Sequence, residues 1–240
     1  VPEYPIKQVI AGIQNILVES IHCGLSTTLL EEGHPFSSIK ASGNLTNMTT
    51  KALAEFSFSE IQLEAALGIA AINSSSDISS LKLTMMNAKE LLVRKGKDKK
   101  VALIGHFPFI DKISYAFAEI FVFELFPQVG DYSVEKIPEI LPQADVLAIS
   151  ATSLCNHTFE KIMQHRNKNC FTVMLGPTTP LSPILFDYGI DALSGVLVKN
   201  NELVKIQVME GVLYRNLKGI ELITILKDSS KNDSIMRGNE

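Results

Sequence analysis

The chain has 240 residues, of which 46% are hydrophobic, 7% aromatic and 20% charged. This composition is typical of a globular chain with a sizeable core and excludes disorder over most of its length. The formal net charge of −4 argues against nucleic acid as a partner, because no basic field is available to hold a phosphate backbone. No apolar run approaches the roughly 20 residues of a membrane helix, so we expect no membrane partner.

The N-terminal part predicts a small α+β unit. A run from Ser59 to Ile72 is apolar on nearly every side and rich in alanine, which predicts a buried helix. A second amphipathic segment follows at 81–93. β-branched and alternating apolar residues predict a three-stranded antiparallel meander at 9–13, 16–23 and 26–32.

The C-terminal part has a different pattern, in which short apolar runs alternate with helical segments. Because the strands are apolar on both faces, they indicate a parallel sheet covered on both sides, hence a Rossmann-like doubly wound α/β domain. The predicted strands are 101–104, 120–123, 146–149, 171–175 and 193–198, and the predicted helices are 110–117, 134–141, 158–165 and 181–188.

The charged stretch 94–100 marks the change between the two patterns, and it contains a glycine. We therefore predict an α+β N-terminal domain at 1–94, a Rossmann-like domain at 95–226 and a mobile tail at 227–240.

Ligands of doubly wound sheets bind at the carboxyl ends of the strands. Gly105 and His106 follow the first predicted strand, and Pro108 removes a backbone donor there, which disfavours a dinucleotide. Glu124 ends the second strand, near the roughly 20-residue offset from Gly105 at which an acidic residue binds ribose hydroxyls. A solvated carboxylate at a strand end is the structural alternative for Glu124.

The next two strands also end in polar loops. The loop 150–158 carries hydroxyls and an amide that can cap a helix or contact a ligand. In the loop 176–180, a helix N-cap at Thr179 with Pro180 in the first helical position is the structural alternative. These motifs contain no Lys or Arg, so we expect backbone amides and hydroxyls to hold an anionic ligand. The candidate ligand residues of the two loops are Thr152, Asn156, Thr158, Gly176, Pro177, Thr178 and Thr179.

The turn 24–28 combines a bend with three hydroxyls. We expect it to close over the sheet edge, so that Thr27, Thr28 and Asn73 face the strand ends across an interdomain cleft. A plain strand-connecting turn is the alternative. For a transition metal, His106 is the best placed of the candidates, which have no diagnostic spacing. The others are His22, Cys23, His34, Cys155 and His157.

Several short motifs in order give the chain a family resemblance. They lie at 24–28, 65–73, 101–108, 141–145, 156–158, 176–180 and 189–195. On these residues the sequence resembles an uncharacterised prokaryotic family labelled "putative heavy-metal chelation". The resemblance implies an enolase-N-terminal-like domain followed by a Rossmann-like domain. This chain has Ser150-Ala151 where members carry Thr-Gly.

The leading hypothesis is that a small anionic or metal-chelating ligand binds in the interdomain cleft, with a role in handling a heavy metal or a metallated cofactor. The alternative is an enzyme that uses a mononucleotide or an S-adenosylmethionine-like cofactor, with Glu124 on the ribose and the helix N-terminus after Gly105 on phosphate. A third hypothesis is a noncatalytic regulatory or scaffold subunit. A catalytic role and a homo-oligomer stay open.

The absence of a disulfide framework and of a visible signal peptide leads us to expect a cytoplasmic protein. The three cysteines, Cys23, Cys155 and Cys170, form no CxxC pair, which favours a reducing compartment. The chain opens without the basic and apolar segments of a signal peptide.

Overall fold

A computed structural model describes residues 1–30 and 39–227 of the chain. The candidate ligand His34 and, apart from Lys227, the predicted mobile tail lie outside the described residues. Within 1–30 and 39–227, no helix is long and apolar enough to cross a bilayer.

The N-terminal sheet is the predicted antiparallel meander, with shifted strand ends. It consists of β1 (Gln8–Ala11), β2 (Asn15–Glu19) and β3 (Cys23–Thr27) in that spatial order. The predicted second strand continued to residue 23, but the chain turns after Glu19, where the Ser20 N–H donates to the His22 carbonyl at 2.9 Å. The third strand therefore begins at Cys23, three residues before the predicted start.

Helix α2 (Gln62–Ser75) covers this sheet, and it follows the shorter α1 (Thr50–Ala54). The alanine-rich sequence lets α2 lie against β3 at very short range. A Cβ placed on Gly24 would lie 2.2 Å from the Ala70 carbonyl oxygen. Glycine is therefore the residue that this approach of strand and helix permits.

The second sheet has eight strands among the described residues, in the order β4-β11-β10-β9-β8-β5-β6-β7. Strands β10 to β7 run parallel, β11 is antiparallel to β10, and β4 is antiparallel to β11. All five predicted strands are present, whereas β4, β7 and β11 were not predicted. The bounds are β4 (Leu83–Thr84), β5 (Lys100–Ile104), β6 (Glu119–Glu124), β7 (Tyr132–Ser133), β8 (Val146–Ser150), β9 (Phe171–Leu175), β10 (Ala192–Val198) and β11 (Ile220–Leu226).

The helices of this part depart further from the prediction. The segment 110–117 forms two 3-10 turns, because the β5–β6 crossover is close to the minimum of about a dozen residues that a parallel connection needs. The segment 181–188 is a 3-10 helix that begins at Pro183 after Ser182, so Thr179 and Pro180 do not start it. The α-helices are α3 (Ala88–Gly96), α4 (Ile137–Ile140), α5 (Thr152–Cys155), α6 (Phe159–His165) and α7 (Asn201–Met209).

Two of the predicted helices need a smaller correction. The segment 134–141 is helical throughout, as predicted, but only α4 is α-helical and the residues on either side of it form 3-10 turns. The segment 81–93 contains β4 before α3, which begins after Asn87 because this side chain and Glu90 form a capping box. Helix α6 agrees with the predicted 158–165 to within one residue.

Both faces of the larger sheet are buried, as the continuous apolar strands predict. Along β8, Leu147 and Ile149 belong to the core on one face, where α4 and α6 pack. Val146 and Ala148 belong to the core on the other face, where α3 packs. The fold class is therefore α/β, with a small N-terminal sheet and a larger, mainly parallel sheet.

The two parts of the chain meet along a contact that we call the interdomain seam, formed by β1–β3 and α2 on one side and by α5, α7 and the loop after β9 on the other. Leu17 and Leu25 share an apolar cluster with Val204 and Val208 of α7. Beside it, the Lys205 ammonium lies 2.6 Å from the Glu19 carboxylate. β4 and α3, which precede the predicted boundary at 94/95, pack on the larger sheet.

Candidate functional site

A cavity of about 1070 Å³ lies at the carboxyl edge of the larger sheet. Gly105 after β5, Glu124 at the end of β6, Ser150 at the end of β8 and Gly176 after β9 all line it. The chain passes outward from β5 to β6 and β7, then returns to β8 on the other side of β5. Ligands of open α/β sheets bind at such a reversal of strand order.

The interior wall of the cavity is mainly apolar. The rings of Phe107 and Phe109 stack at the start of the β5–β6 crossover, with centroids 5.6 Å apart and planes 13° from parallel. The buried aliphatic and aromatic side chains on the wall are Ile104, Phe123, Ile137, Ile162, Leu175 and Ile223.

Two glycines end strands at this edge and keep it open. Gly105 has φ +107° and Gly176 has φ +114°, conformations that side chains disfavour. A Cβ on Gly176 would meet nothing within 4 Å. The glycine is therefore required there by its backbone conformation, and the space beside it belongs to the cavity.

His106 is held by a carboxylate that the sequence analysis missed. Its Nδ1 lies 3.3 Å from both carboxylate oxygens of Asp131, a side chain that is only 4% exposed. The Gln128 N–H donates to the same carboxylate at 3.1 Å. When Nδ1 carries the proton and donates it to Asp131, Nε2 is left as the accepting nitrogen of the ring. The signal in the sequence was only a turn at Gly130-Asp131.

Glu124 organises the strand ends. Its Oε1 accepts from the His106 backbone N–H at 2.5 Å, and its Oε2 accepts from the Leu125 N–H at 3.3 Å. Glu124 lines the cavity, yet both of its carboxylate oxygens accept hydrogen bonds from the backbone of the loops after β5 and β6. The helix N-terminus expected after Gly105 is absent, since 3-10 turns stand there. The nucleotide alternative thus loses its helix N-terminus and the free carboxylate.

The loop after β8 presents hydroxyls to the cavity. Ser150 Oγ and Thr152 Oγ1 are 2.8 Å apart, and Asn156 Oδ1 accepts from Thr158 Oγ1 at 2.7 Å. Neither Asn156 nor Thr158 caps α6 through its side chain in the expected way. Ser153, which was not predicted, is 2% exposed, and its Oγ is buried without a hydrogen-bond partner. Among the described residues, three other buried polar atoms without a partner lie away from the cavity, on Asn15, Asn73 and Thr179. Ser153 is the described residue at which such an atom lies on the cavity wall, where a ligand can reach it.

Basic side chains surround the cavity, contrary to our expectation of amides and hydroxyls alone. We call the four exposed cations on its wall the cationic rim: Lys89, Lys112, Lys161 and Arg215. His165 and Tyr214 also lie on the wall, and burial raises the pKa of Tyr214 to about 12. Sequence analysis missed the rim because its members lie outside the strand-end motifs, on α3, α6 and two 3-10 turns.

Part of the predicted site lies in the interdomain seam instead. The Thr27 N–H donates to Thr178 Oγ1 at 2.9 Å, and Asn73 Nδ2 donates to the carbonyls of Leu25 at 2.9 Å and Thr178 at 3.3 Å. Thr28 Oγ1 donates to the Gly12 carbonyl at 2.6 Å. These bonds tie the N-terminal sheet to the loop after β9 and close its turn.

The predicted ligand residues therefore divide into two groups. Those on the cavity wall are Thr27, Gly105, His106, Pro108, Glu124, Thr152, Asn156, Thr158, Gly176 and Pro177. Those away from it are Thr28, Asn73, Thr178 and Thr179. Among the described wall residues, Thr27 comes from the N-terminal sheet and all the others from 87–223, so the cavity belongs mainly to the larger sheet.

The donor set does not fit a resident metal ion. Across 1–30 and 39–227, no group of three or more His, Cys, Asp or Glu side chains is placed to hold one. Burial raises the pKa of Cys23, Cys155 and Cys170 to about 12, so these thiols stay protonated and are poor metal ligands. His157 Nε2 is 2.8 Å from the Ser59 carbonyl, away from the cavity.

Fold and cavity together define an α/β protein in which a small antiparallel sheet and α2 pack beside a larger parallel sheet that carries the candidate binding site. Residues 87–227 match the DUF364 family model and residues 1–76 match DUF4213, both described as "Putative heavy-metal chelation". The chain belongs to the DUF364 family.

Relatives share most of the chain. The uncharacterized protein MJ0500 of Methanocaldococcus jannaschii is 30% identical over 224 residues, which cover 87% of this chain and 79% of the relative. A DUF364 protein of unknown function from Desulfitobacterium hafniense DCB-2 has a crystal structure with a TM-score of 0.80 and 25% identity, covering 95% of this chain and 93% of that one. One from Pyrococcus horikoshii gives 0.75 at 24% identity, covering 92% of each chain, and supports the fold.

Proposed function

We propose that this protein binds a small, anionic, metal-chelating ligand in the cavity and serves in handling a heavy metal or a metallated cofactor. The cationic rim around a cavity with one carboxylate-backed imidazole is the observation that carries the proposal. The family description supports the metal, and the geometry supports the anion.

The rim gives the cavity a charge opposite to that of the whole chain. The formal net charge is −4, yet the cavity wall carries four basic side chains: Lys89, Lys112, Lys161 and Arg215. Lys and Arg form strong, charge-assisted hydrogen bonds to carboxylates and phosphates. The described wall also carries the carboxylates of Glu124 and Glu135, so four cations stand against two acids there. This excess of positive charge suits an anion better than a cation.

On this proposal, the metal reaches the protein already bound to the ligand. Since the described residues offer no three-ligand site, a bare ion would find too few protein donors, although the His106 imidazole is held by Asp131. An ion already held by a chelator keeps its own donors and presents the chelator's negative charge to the rim. The protein is thus expected to discriminate chelate from free ion.

Isothermal titration calorimetry of the full chain tests this with ferric citrate, citrate and Ni²⁺ as separate probes. We expect ferric citrate and citrate to bind and Ni²⁺ alone to bind far more weakly. Lys112→Gln and Arg215→Gln should each lower the affinity for ferric citrate by about tenfold, since one charge-assisted hydrogen bond contributes about 1.5–3 kcal/mol.

Lys51→Gln is the matched control, because Lys51 is an exposed lysine on α1 outside the cavity wall. It should bind like the wild type. Tight binding of Ni²⁺ alone, or ferric citrate binding that survives both rim substitutions unchanged, would overturn the proposal.

A further inference from the structure

The cavity has more room and more apolar surface than a small polycarboxylate needs. Its volume of about 1070 Å³ is at the upper end of the roughly 300–1,000 Å³ of pockets for drug-sized ligands. Buried side chains such as Ile104, Phe123 and Ile223 form its interior, while the four cations of the rim are exposed. A ligand that matches both parts has a large apolar body and anionic groups at its outer edge.

The wall also offers aromatic ring faces. The Phe107 and Phe109 rings stack on each other, with centroids 5.6 Å apart, and both lie on the wall directly after His106. Flat aromatic rings pack favourably against other flat conjugated systems in offset stacks. A rigid, planar ligand body is therefore favoured over a flexible acyl chain.

Among the described wall residues, His106 is a potential metal ligand whose ring is held by a carboxylate. Asp131 engages Nδ1 and fixes the ring, an arrangement that orients a metal-ligating histidine through its other nitrogen. With no three-ligand group in the described parts of the chain, a metal at Nε2 must bring its remaining donors with it. A macrocycle that holds its metal in a plane and leaves an axial position meets this requirement.

We infer that the ligand is a metallated tetrapyrrole, with its carboxylates at the cationic rim and His106 Nε2 as the axial ligand from the protein. The Ser153 hydroxyl, which is buried without a partner on the same wall, is available to hydrogen-bond to such a ligand. This inference rests on the proposed function and names the class of chelator.

Absorbance titration of the full chain with Fe(III), Zn(II) and metal-free protoporphyrin IX tests the inference. We expect saturable one-to-one binding, a shifted Soret band with the two metalloporphyrins, and weaker binding of the metal-free ring. His106→Ala should lose the spectral signature of imidazole ligation and the preference for metal. Asp131→Asn keeps the imidazole and should lower metalloporphyrin affinity by about tenfold, since outer-shell partners of a ligating histidine contribute 10–100-fold.

His22→Ala is the matched control, because His22 is an exposed histidine outside the cavity wall. It should keep the wild-type spectrum. Loss of the imidazole signature in His165→Ala, with His106→Ala unchanged, would contradict the assignment of the ligand, because His165 is the other histidine among the described wall residues. Binding of ferric citrate without any saturable porphyrin binding would overturn the tetrapyrrole while the proposed function stands. Failure of both probes would overturn both.

Discussion

The cavity wall and the interdomain seam are built from the same kinds of residues, yet they use them differently. In the seam, the Thr178 hydroxyl is 1% exposed and accepts from the Thr27 N–H of the N-terminal sheet. On the cavity wall, Ser153 is equally buried, but its hydroxyl has no partner. The seam also leaves Asn73 Oδ1 and Thr179 Oγ1 without a partner, but only the wall adjoins a cavity that a ligand can enter. A polar loop at a strand end is thus available to a ligand only where the neighbouring part of the chain leaves space beside it.

We expect the largest difference in stability between two glycine variants, one in the N-terminal part beside the seam and one on the cavity wall. Gly24→Ala places a Cβ 2.2 Å from the Ala70 carbonyl oxygen, so it should cost about 4 kcal/mol of unfolding free energy or prevent folding. Gly176→Ala adds a methyl group to open space and should cost only the backbone strain of φ +114°, about 1–2 kcal/mol. Urea denaturation of both variants checks the order. A Gly24→Ala protein as stable as Gly176→Ala would show that β3 and α2 are not tightly packed against each other.

The ion pair in the seam comes next. Lys205 is 9% exposed and lies 2.6 Å from Glu19, so Lys205→Met should cost about 3 kcal/mol by leaving that carboxylate without its cation. Lys136→Met, on an exposed pair with Glu139, is the control and should leave the stability nearly unchanged. Urea denaturation at neutral pH measures both, and equal losses would mean that the seam pair is no stronger than a surface pair.

The contribution of the Lys205–Glu19 ion pair to stability should also depend on pH. Hydrogen bonds to Glu19 and Glu202 raise the pKa of Lys205 above its usual value. Its contribution is therefore complete below the unfolded pKa of about 10.4 and is lost as the pH rises through the folded value. The difference between the wild type and Lys205→Met should shrink only in strongly alkaline urea titrations.

A hydroxyl from each region gives a smaller contrast. Thr178→Val removes the acceptor of the buried Thr27 N–H and should cost about 2 kcal/mol. Thr152→Val removes a hydroxyl that contacts Ser150 at the edge of the cavity and should cost less than about 1 kcal/mol. Urea denaturation compares them, and a larger loss for Thr152→Val would reverse our assignment of the two regions.

The smallest expected effect probes how dry the seam is. Cys155 of α5 is fully buried against α2, and burial raises its pKa to about 12. Above the unfolded pKa of about 8.5, the unfolded chain loses a thiol proton that the folded chain retains, so stability falls as the pH rises. Cys155→Ala should reduce the loss of unfolding free energy between pH 8 and pH 9 by about 0.7 kcal/mol. An unchanged slope would mean that water reaches this thiol.

Strands were predicted better than helices for a physical reason. An apolar run such as 146–149 must be buried on both faces, and only a covered sheet allows this. The segment 110–117 has an apolar pattern that suits a helix as well as a 3-10 turn, and the short crossover decided between them. The edge strands β4 and β7 have only two residues each, too few for a pattern.

The position of the cavity at the strand ends could be predicted from the sequence, but the chemistry of its wall could not. The strand-end rule placed Gly105, His106 and Gly176 on the wall, because it depends only on the order of elements. Asp131 contacts His106 from the loop before β7, and Arg215 reaches the wall from a 3-10 turn far along the chain. No local sequence pattern marks a residue that a long-range contact brings in. We expected Asn73 and Thr178 at the ligand site because sequence alone does not show which polar side chains form hydrogen bonds within the seam.

The cationic rim has a kinetic consequence. Four like charges around one opening attract an anion before contact, even though the molecule as a whole carries a formal charge of −4. Encounter should therefore be fast at low ionic strength and slow down as salt shortens the Debye length to about 8 Å at physiological ionic strength, while dissociation changes little. In stopped-flow measurements, a protein that repels anions on average would capture them quickly at one place.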